Sequence, residues 1–196
     1  GEYDNDNNLI KTIYKTNSFE TILDSLERIT NNKINDRIIS SREYYSYGHR
    51  QSTLIKKYIV LNDSYTFKFD KNYNIVSLLK NDNKYFKYKY DSYNQLIEEI
   101  DYENKIRTKY TYDLNSNLKS IIKYDLDTYS LIHKDSFSYS NYDLLTKYND
   151  SVIEYEQIGN VIKIDNNMLE WKNGKELTKF YNSNNVYNYY YNDNGV

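Results

Sequence analysis

The chain contains no cysteine, no proline, no alanine and only five glycines among its 196 residues. Without cysteine there is no disulfide scaffold, iron–sulfur cluster or thiolate zinc site. Long apolar runs are missing too: none approaches the ~18 residues that span a bilayer. The opening Gly1-Glu2-Tyr3-Asp4 lacks the basic and apolar regions of a signal peptide. Neither charge dominates. With 26 basic against 28 acidic residues, no bulk field draws nucleic acid or anionic lipid. Histidine is scarce as well, and His49 and His133 stand far apart without ligand-like spacing, as surface or turn residues do. There is no phosphate-binding glycine loop and no nucleophile motif. No catalytic, cofactor-binding or metal-ligating residue is expected.

What is present is tyrosine, 26 of them, with abundant Asn, Ile and Lys. Tyr, Ile, Phe and Thr suit a pleated, half-buried surface, whereas the best helix former is absent. Asn and Asp suit turns, where they tolerate left-handed backbone and bond to it locally. At 17% aromatic the chain is far from the composition of disorder. A mainly β fold follows.

One pattern recurs: aromatic, any residue, aromatic, a turn-former, four residues, then an aliphatic. It reads Phe67-Lys68-Phe69-Asp70 to Ile75, Tyr88-Lys89-Tyr90-Asp91 to Leu96, and Tyr110-Thr111-Tyr112-Asp113 to Leu118. Weaker copies are Phe137-Ser138-Tyr139-Ser140 to Leu145 and Ile153-Glu154-Tyr155-Glu156 to Val161. Leu169-Glu170-Trp171-Lys172 leads to Leu177, and Tyr189-Tyr190-Tyr191-Asn192 runs off the end. Successive turn-formers are 21, 22, 27, 16, 16 and 20 residues apart, the length of two strands and their connections. Residues i and i+2 of a strand share a face, so each aromatic pair lays two rings on one side of a sheet. The Asp can accept backbone N–H bonds across the reversal. Three residues later the chain needs a left-handed residue. Gly159, Gly195 and Asn94 fill that slot well, while Tyr73 and Ser116 fit it less well and predict a different turn type.

The first 60 residues hold degenerate copies. Tyr3-Asp4 is followed by Asn7 and Leu9 in the turn and aliphatic slots, and Tyr45-Ser46-Tyr47-Gly48 is another candidate. Residues 17–30 also carry a helical stripe, Phe19, Ile22, Leu23, Leu26 and Ile29, with Asn17 or Ser18 as cap. Agreement of residues 23–29 with the repeat frame favours strand, with Glu27 in the glycine slot. Asp4-Asn5-Asp6-Asn7 is a poor calcium loop, because Leu9 and Lys15 stand where glycine and the bidentate Glu belong.

The motif Tyr-x-Tyr-Asp-x-x-x-x-Leu resembles the YD repeat of rearrangement-hotspot (RHS) proteins, and Leu23-Asp24-Ser25-Leu26-Glu27-Arg28-Ile29 is similar to its core with the Gly replaced. The order of Tyr155-Glu156-Gln157-Ile158-Gly159-Asn160, then Trp171-Lys172-Asn173-Gly174-Lys175-Glu176-Leu177, then Tyr191-Asn192-Asp193-Asn194-Gly195 resembles the late part of clostridial-type arrays. Two departures stand out: glycine is missing from most turn slots, and the Asp becomes Ser140, Glu156, Lys172 or Asn192. The resemblance implies tandem hairpins in a continuous curved antiparallel sheet, one array over residues 1–196, clearer from residue 61. It implies a secreted or cell-surface shell segment whose partners are the rest of its own shell or an enclosed C-terminal toxin polypeptide. No Asp-Pro segment like that of the family's self-cleaving site is present, and a longer polypeptide or edge-to-edge packing is expected.

The repeat positions expected to matter structurally are Phe67, Phe69, Asp70, Tyr88, Tyr90, Asp91, Leu96, Tyr110, Tyr112, Asp113, Leu118, Tyr155, Gly159, Trp171, Leu177, Tyr189, Tyr191 and Gly195. Rings of neighbouring hairpins are expected to stack, and the choice of Tyr over Phe predicts a wet edge. An aromatic carbohydrate-binding module, with a cell-surface glycan as partner, is the alternative. Lys84, Lys87, Lys89, Lys105, Arg107 and Lys109 interleave with tyrosines, but nearby acids read them as a solvent-facing surface rather than a nucleic-acid site.

Overall fold

A computed structural model describes residues 1–47 and 50–191 of the chain. Among these residues there is no helix, and hence none long and apolar enough to cross a membrane. The chain separates into two compact units, Gly1–Ile106 and Arg107–Val196.

The first unit is an antiparallel meander. Its strands are β1 (Glu2–Tyr3), β2 (Leu9–Tyr14), β3 (Asn17–Leu23), β4 (Ile29–Ile34) and β5 (Arg37–Tyr47). They continue as β6 (Arg50–Val60), β7 (Asp63–Phe69), β8 (Ile75–Lys80), β9 (Asn83–Tyr90) and β10 (Leu96–Asp101). Each strand pairs with the next in sequence. Residues 17–30 are thus a hairpin, and the helical stripe is overridden by cross-strand pairing.

The second unit repeats the plan. It holds β11 (Ile106–Tyr112, whose first residue belongs to the first unit), β12 (Leu118–Asp125), β13 (Leu131–Tyr139), β14 (Leu145–Tyr148) and β15 (Ser151–Tyr155). Then come β16 (Val161–Ile164), β17 (Asn167–Lys172), β18 (Glu176–Tyr181) and β19 (Val186–Asn188). From β12 onward the antiparallel registers run strictly between sequence neighbours.

The repeat spacing has a direct meaning in both units. The residue just before the turn-former is the cross-strand partner of the aliphatic after it: Tyr3 with Leu9, Leu23 with Ile29, Phe69 with Ile75 and Tyr90 with Leu96. In the second unit the partners are Tyr139 with Leu145, Tyr155 with Val161 and Trp171 with Leu177. A register shift accompanies each pairing, which increases local twist. The residue between the two repeat positions, Lys68, Lys89, Thr111, Ser138, Glu154 or Glu170, is exposed, while its neighbours on either side are half-buried. This is the period-2 alternation of a sheet with one better covered face.

No apolar side chain among the described residues is fully buried; the buried residues are the polar Ser40 and Thr108. The accessible surface is 14279 Å², against about 9,800 Å² for a folded monomer of 23.7 kDa. Both faces of these sheets are therefore wet to a degree that ordinary domains avoid. Cross-strand charge pairs at the surface, exposed or half-buried, line up in register: Glu154 with Lys163 at 2.7 Å, Glu170 with Lys179 at 3.5 Å and Glu20 with Lys33 at 3.4 Å. Such pairs contribute little to stability.

Candidate functional site

The turn after each aromatic pair is a five-residue reversal. In the copy at Asp70, the Asp70 N–H donates to the Asn74 carbonyl and the Tyr73 N–H donates to the Asp70 carbonyl. The Asp70 carboxylate accepts the N–H groups of Asn72 and Asn74 at 2.8 and 2.9 Å, and the Asn74 side-chain amide at 3.1 Å. Asp4, Asp24, Asp91 and Asp113 accept the corresponding N–H bonds in their own turns. The fourth residue after the Asp completes the device through Asn8, Arg28, Gln95 and Asn117. This back-bonding residue is a signal that sequence reading missed, although Asn or Gln recurs there. The Asp-rich start is one of these turns.

The left-handed slot is filled at every one of these turns, whatever the residue. Asn7, Glu27, Tyr73, Asn94 and Ser116 have φ of 66, 59, 67, 62 and 70°. Asp143 and Gly159 follow at 59 and 93°. The expectation that Tyr73 and Ser116 mark a different turn is corrected: the carboxylate and the backbone bonds hold the same turn against the cost of a Cβ at positive φ. The true exception is the β17–β18 connection. There Asn173 and Gly174 are both left-handed, at 53 and 77°, and Lys175 N–H donates to the Lys172 carbonyl, the type I′ geometry of Asn-Gly.

Hydrogen bonding holds the carboxyls of Asp4, Asp24, Asp70 and Asp113 below their ordinary value. At Asp4 the leading cause is the Asn8 N–H, and at Asp24 it is the Arg28 guanidinium. At Asp70 and Asp113 desolvation pushes upward, but the bonds from Asn74 and Asn117 outweigh it.

Neighbouring turns are tied together along the edge of each unit. The Asn72 and Asn74 amides donate to Asn94 Oδ1 of the next turn, at 2.8 and 2.9 Å. In the second unit the Asn115 and Asn117 amides donate to Asp143 Oδ1, at 3.0 and 2.7 Å. The opposite edge has its own ties: Asn35 and Asn81 accept the N–H of Ser18 and Ser64, and Asn149 and Asp165 accept those of Ser136 and Val152, each at 2.8 Å. Much of the asparagine content is thus used between hairpins.

The aromatics make a third tie. Tyr44, Tyr90, Tyr155 and Tyr191 donate their hydroxyls to the carbonyls of Ile29, Ile75, Leu145 and Leu177. Trp171 Nε1–H donates likewise to Val161, at 2.7 Å. Each acceptor is the aliphatic position of the preceding copy. At these positions the polar atom of the ring meets a backbone carbonyl, a role that the Trp N–H fills as well as the Tyr hydroxyl, while Phe69 holds the same slot without it. Desolvation raises the Tyr90 hydroxyl, consistent with a covered donor.

Ring contacts are mixed rather than a uniform ladder. Tyr45 meets Phe69 edge-on at 5.9 Å, from the neighbouring hairpin, and the Tyr45 hydroxyl donates to the Phe67 carbonyl. Phe86 and Tyr88 stack at 5.9 Å within one strand, and Phe137 meets Tyr148 at 5.3 Å across one hairpin. Tyr110, Tyr112 and Leu118 lie on β11 and β12. Tyr189 follows β19, and its N–H still donates to Thr178. His133 is exposed, 3.0 Å from Asp135, whose carboxylate also accepts from Tyr148 and Asn149. Gly48, His49, Asn192 and Gly195 lie outside the described residues. Among those described, no group of three or more His, Asp or Glu side chains is placed to hold a metal.

No protein-family model matches the chain, and no curated protein does. Solved structures do. A Photorhabdus luminescens Tc holotoxin pore carrying TccC3-D651A superposes with a TM-score of 0.62 at 11% identity, over 88% of this chain and 11% of that one. The TcdB2–TccC3–Cdc42 complex gives 0.63 at 12% identity, and TcdB2–TccC3 gives 0.62 at 10%; each covers 87% of this chain and 11% of the other. The chain thus spans about a ninth of the chains it matches. At such identities the likeness concerns the fold, and on that level the chain has the all-β, tandem-hairpin architecture of the Tc toxin proteins that the YD-repeat resemblance implies.

Proposed function

We propose that this chain is a non-catalytic wall segment of an exported YD-repeat shell that encloses or presents a toxin polypeptide, and that the eighteen repeat positions serve to join one hairpin to the next. The observation that carries this reading is the fold shared with Tc toxin proteins over nearly nine-tenths of the chain. The absence of a buried apolar side chain among the described residues supports it. Hairpins tied edge to edge by Asn, Asp and Tyr gain stability from neighbours rather than from a core.

Sedimentation velocity over a range of concentrations, with calorimetry of the 196-residue chain, tests the reading. Self-association and a broad unfolding transition are expected, since open sheet edges pair and stability is shared along the array. A monodisperse monomer with a single transition, and equal calorimetric and van't Hoff enthalpies, would overturn it.

A further inference from the structure

The first unit carries a shallow groove that the turn rows do not use. Lys68, Ser77, Leu79, Lys84, Lys87 and Tyr102 line it. Lys68 stands opposite Ser77, and Ser77 opposite Lys87, so the three form one row across β7, β8 and β9. Two strand spacings put the backbones of the two lysines roughly 10 Å apart. Lys84 Nζ sits 5.6 Å from the centre of the Tyr102 ring. All three lysines are exposed. Among the described residues none of them pairs with a carboxylate, whereas Lys11, Lys33 and Lys80 of the same unit do. Glu98, on β10, stands opposite Lys89 instead. The cancellation of charge expected from the neighbouring acids does not extend to this row.

We propose that this groove binds an anionic polysaccharide, a sugar chain bearing carboxylate or sulfate groups. The acid groups meet the ammonium groups of Lys68, Lys84 and Lys87, Ser77 offers a hydroxyl, and a sugar ring lies against Tyr102. An acidic peptide fits less well. β8 is paired on both sides, so an extended peptide finds no free backbone edge to join. The groove also lacks the arginine fork that favours bidentate carboxylate or phosphate, while lysine presents rotatable donors suited to single contacts. Nucleic acid calls for a series of stacking rings; Phe86 and Tyr88 also border the groove, but they stack on each other within one strand, and an oligodeoxynucleotide competitor separates that ligand from a polysaccharide. The inference is independent of the wall-segment reading.

Fluorescence anisotropy with a labelled heparin-derived octasaccharide, at two salt concentrations, tests it. A polyglutamate peptide and a single-stranded oligodeoxynucleotide of similar charge serve as competitors. The variant Lys68→Gln/Lys84→Gln/Lys87→Gln is expected to bind about tenfold more weakly, with a shallower salt dependence. Tyr102→Ala is expected to weaken binding with the salt dependence unchanged, and Lys163→Gln, in the second unit, to bind as the parent does. The three lysines of the triple variant are exposed, and circular dichroism verifies that the sheet persists in every variant. Parent-like binding by the triple variant, or equal competition by polyglutamate or the oligodeoxynucleotide, would overturn the proposal.

Discussion

The two units solve the same turn with different chemistry. In the first, Asp4, Asp24, Asp70 and Asp91 each accept two backbone N–H bonds and a bond from the side chain four residues on, and at Asp24 a second guanidinium nitrogen of Arg28 joins it. In the second, Asp113 does so, but Ser140 reaches Tyr142 and Leu144 at 3.2 and 3.3 Å, and Glu156 bonds the Asn160 amide. The backbone bonds and the left-handed third residue persist through all of these changes. The turn is therefore defined by the backbone and by hairpin register, and the carboxylate reinforces it.

The comparison can be broken most forcefully at Trp171, where the second unit puts an indole in the place of a tyrosine. Trp171→Ala removes a half-buried ring and its bond to Val161, and is expected to lower the protection of amides 168–181 by about 2 kcal/mol in hydrogen exchange. Trp171→Tyr should restore most of that loss if the carbonyl bond is what matters. At Tyr155 and Tyr90, one in each unit, Tyr→Phe should cost about 1 kcal/mol each, read at the preceding hairpin. Equal protection in parent and variant would reduce the hydroxyl to an ornament of composition.

Ser116→Gly tests the left-handed slot in the opposite direction. It relieves a Cβ at φ 70° and should stabilise the β11–β12 hairpin by up to about 1 kcal/mol, measured as a shift in urea midpoint. Gly159→Ala, at φ 93°, should destabilise its hairpin.

Acid should separate the turns by residue type. The carboxyls of Asp4, Asp24, Asp70 and Asp113 are lowered from 3.8, so their contribution is present above that value and is lost as pH falls through the lower folded values. Protection factors, referred to the intrinsic exchange rate at each pH, should fall in those turns below about pH 4, while those of the Ser140 turn stay flat. Because these carboxyls are exposed the effect per turn is small. A parallel acid response at Ser140 would show that the carboxylates are not its source.

Much of the local plan was legible in the residues. Rings two apart, a turn-former and an aliphatic five residues on mark where strands end and begin, because side-chain alternation and turn chemistry are short-range. Residues 23–29 show the same frame winning over a helical stripe, since pairing Leu23 with Ile29 closes a hairpin that a helix would forgo. Tyr73 and Ser116 misled because propensity alone does not count the hydrogen bonds that Asp70 and Asp113 supply to those turns.

The amino-acid order by itself determined strand, reversal and period, all set by contacts within about six residues. Only the tertiary structure decided where the hydroxyl of Tyr90 or the amide of Asn72 goes, because those acceptors lie 15 and 22 residues away. Register alone brings them within reach. The lysine row of Lys68 and Lys87 has the same origin: lysines set between aromatic residues along the chain come to lie in one row once the strands are aligned.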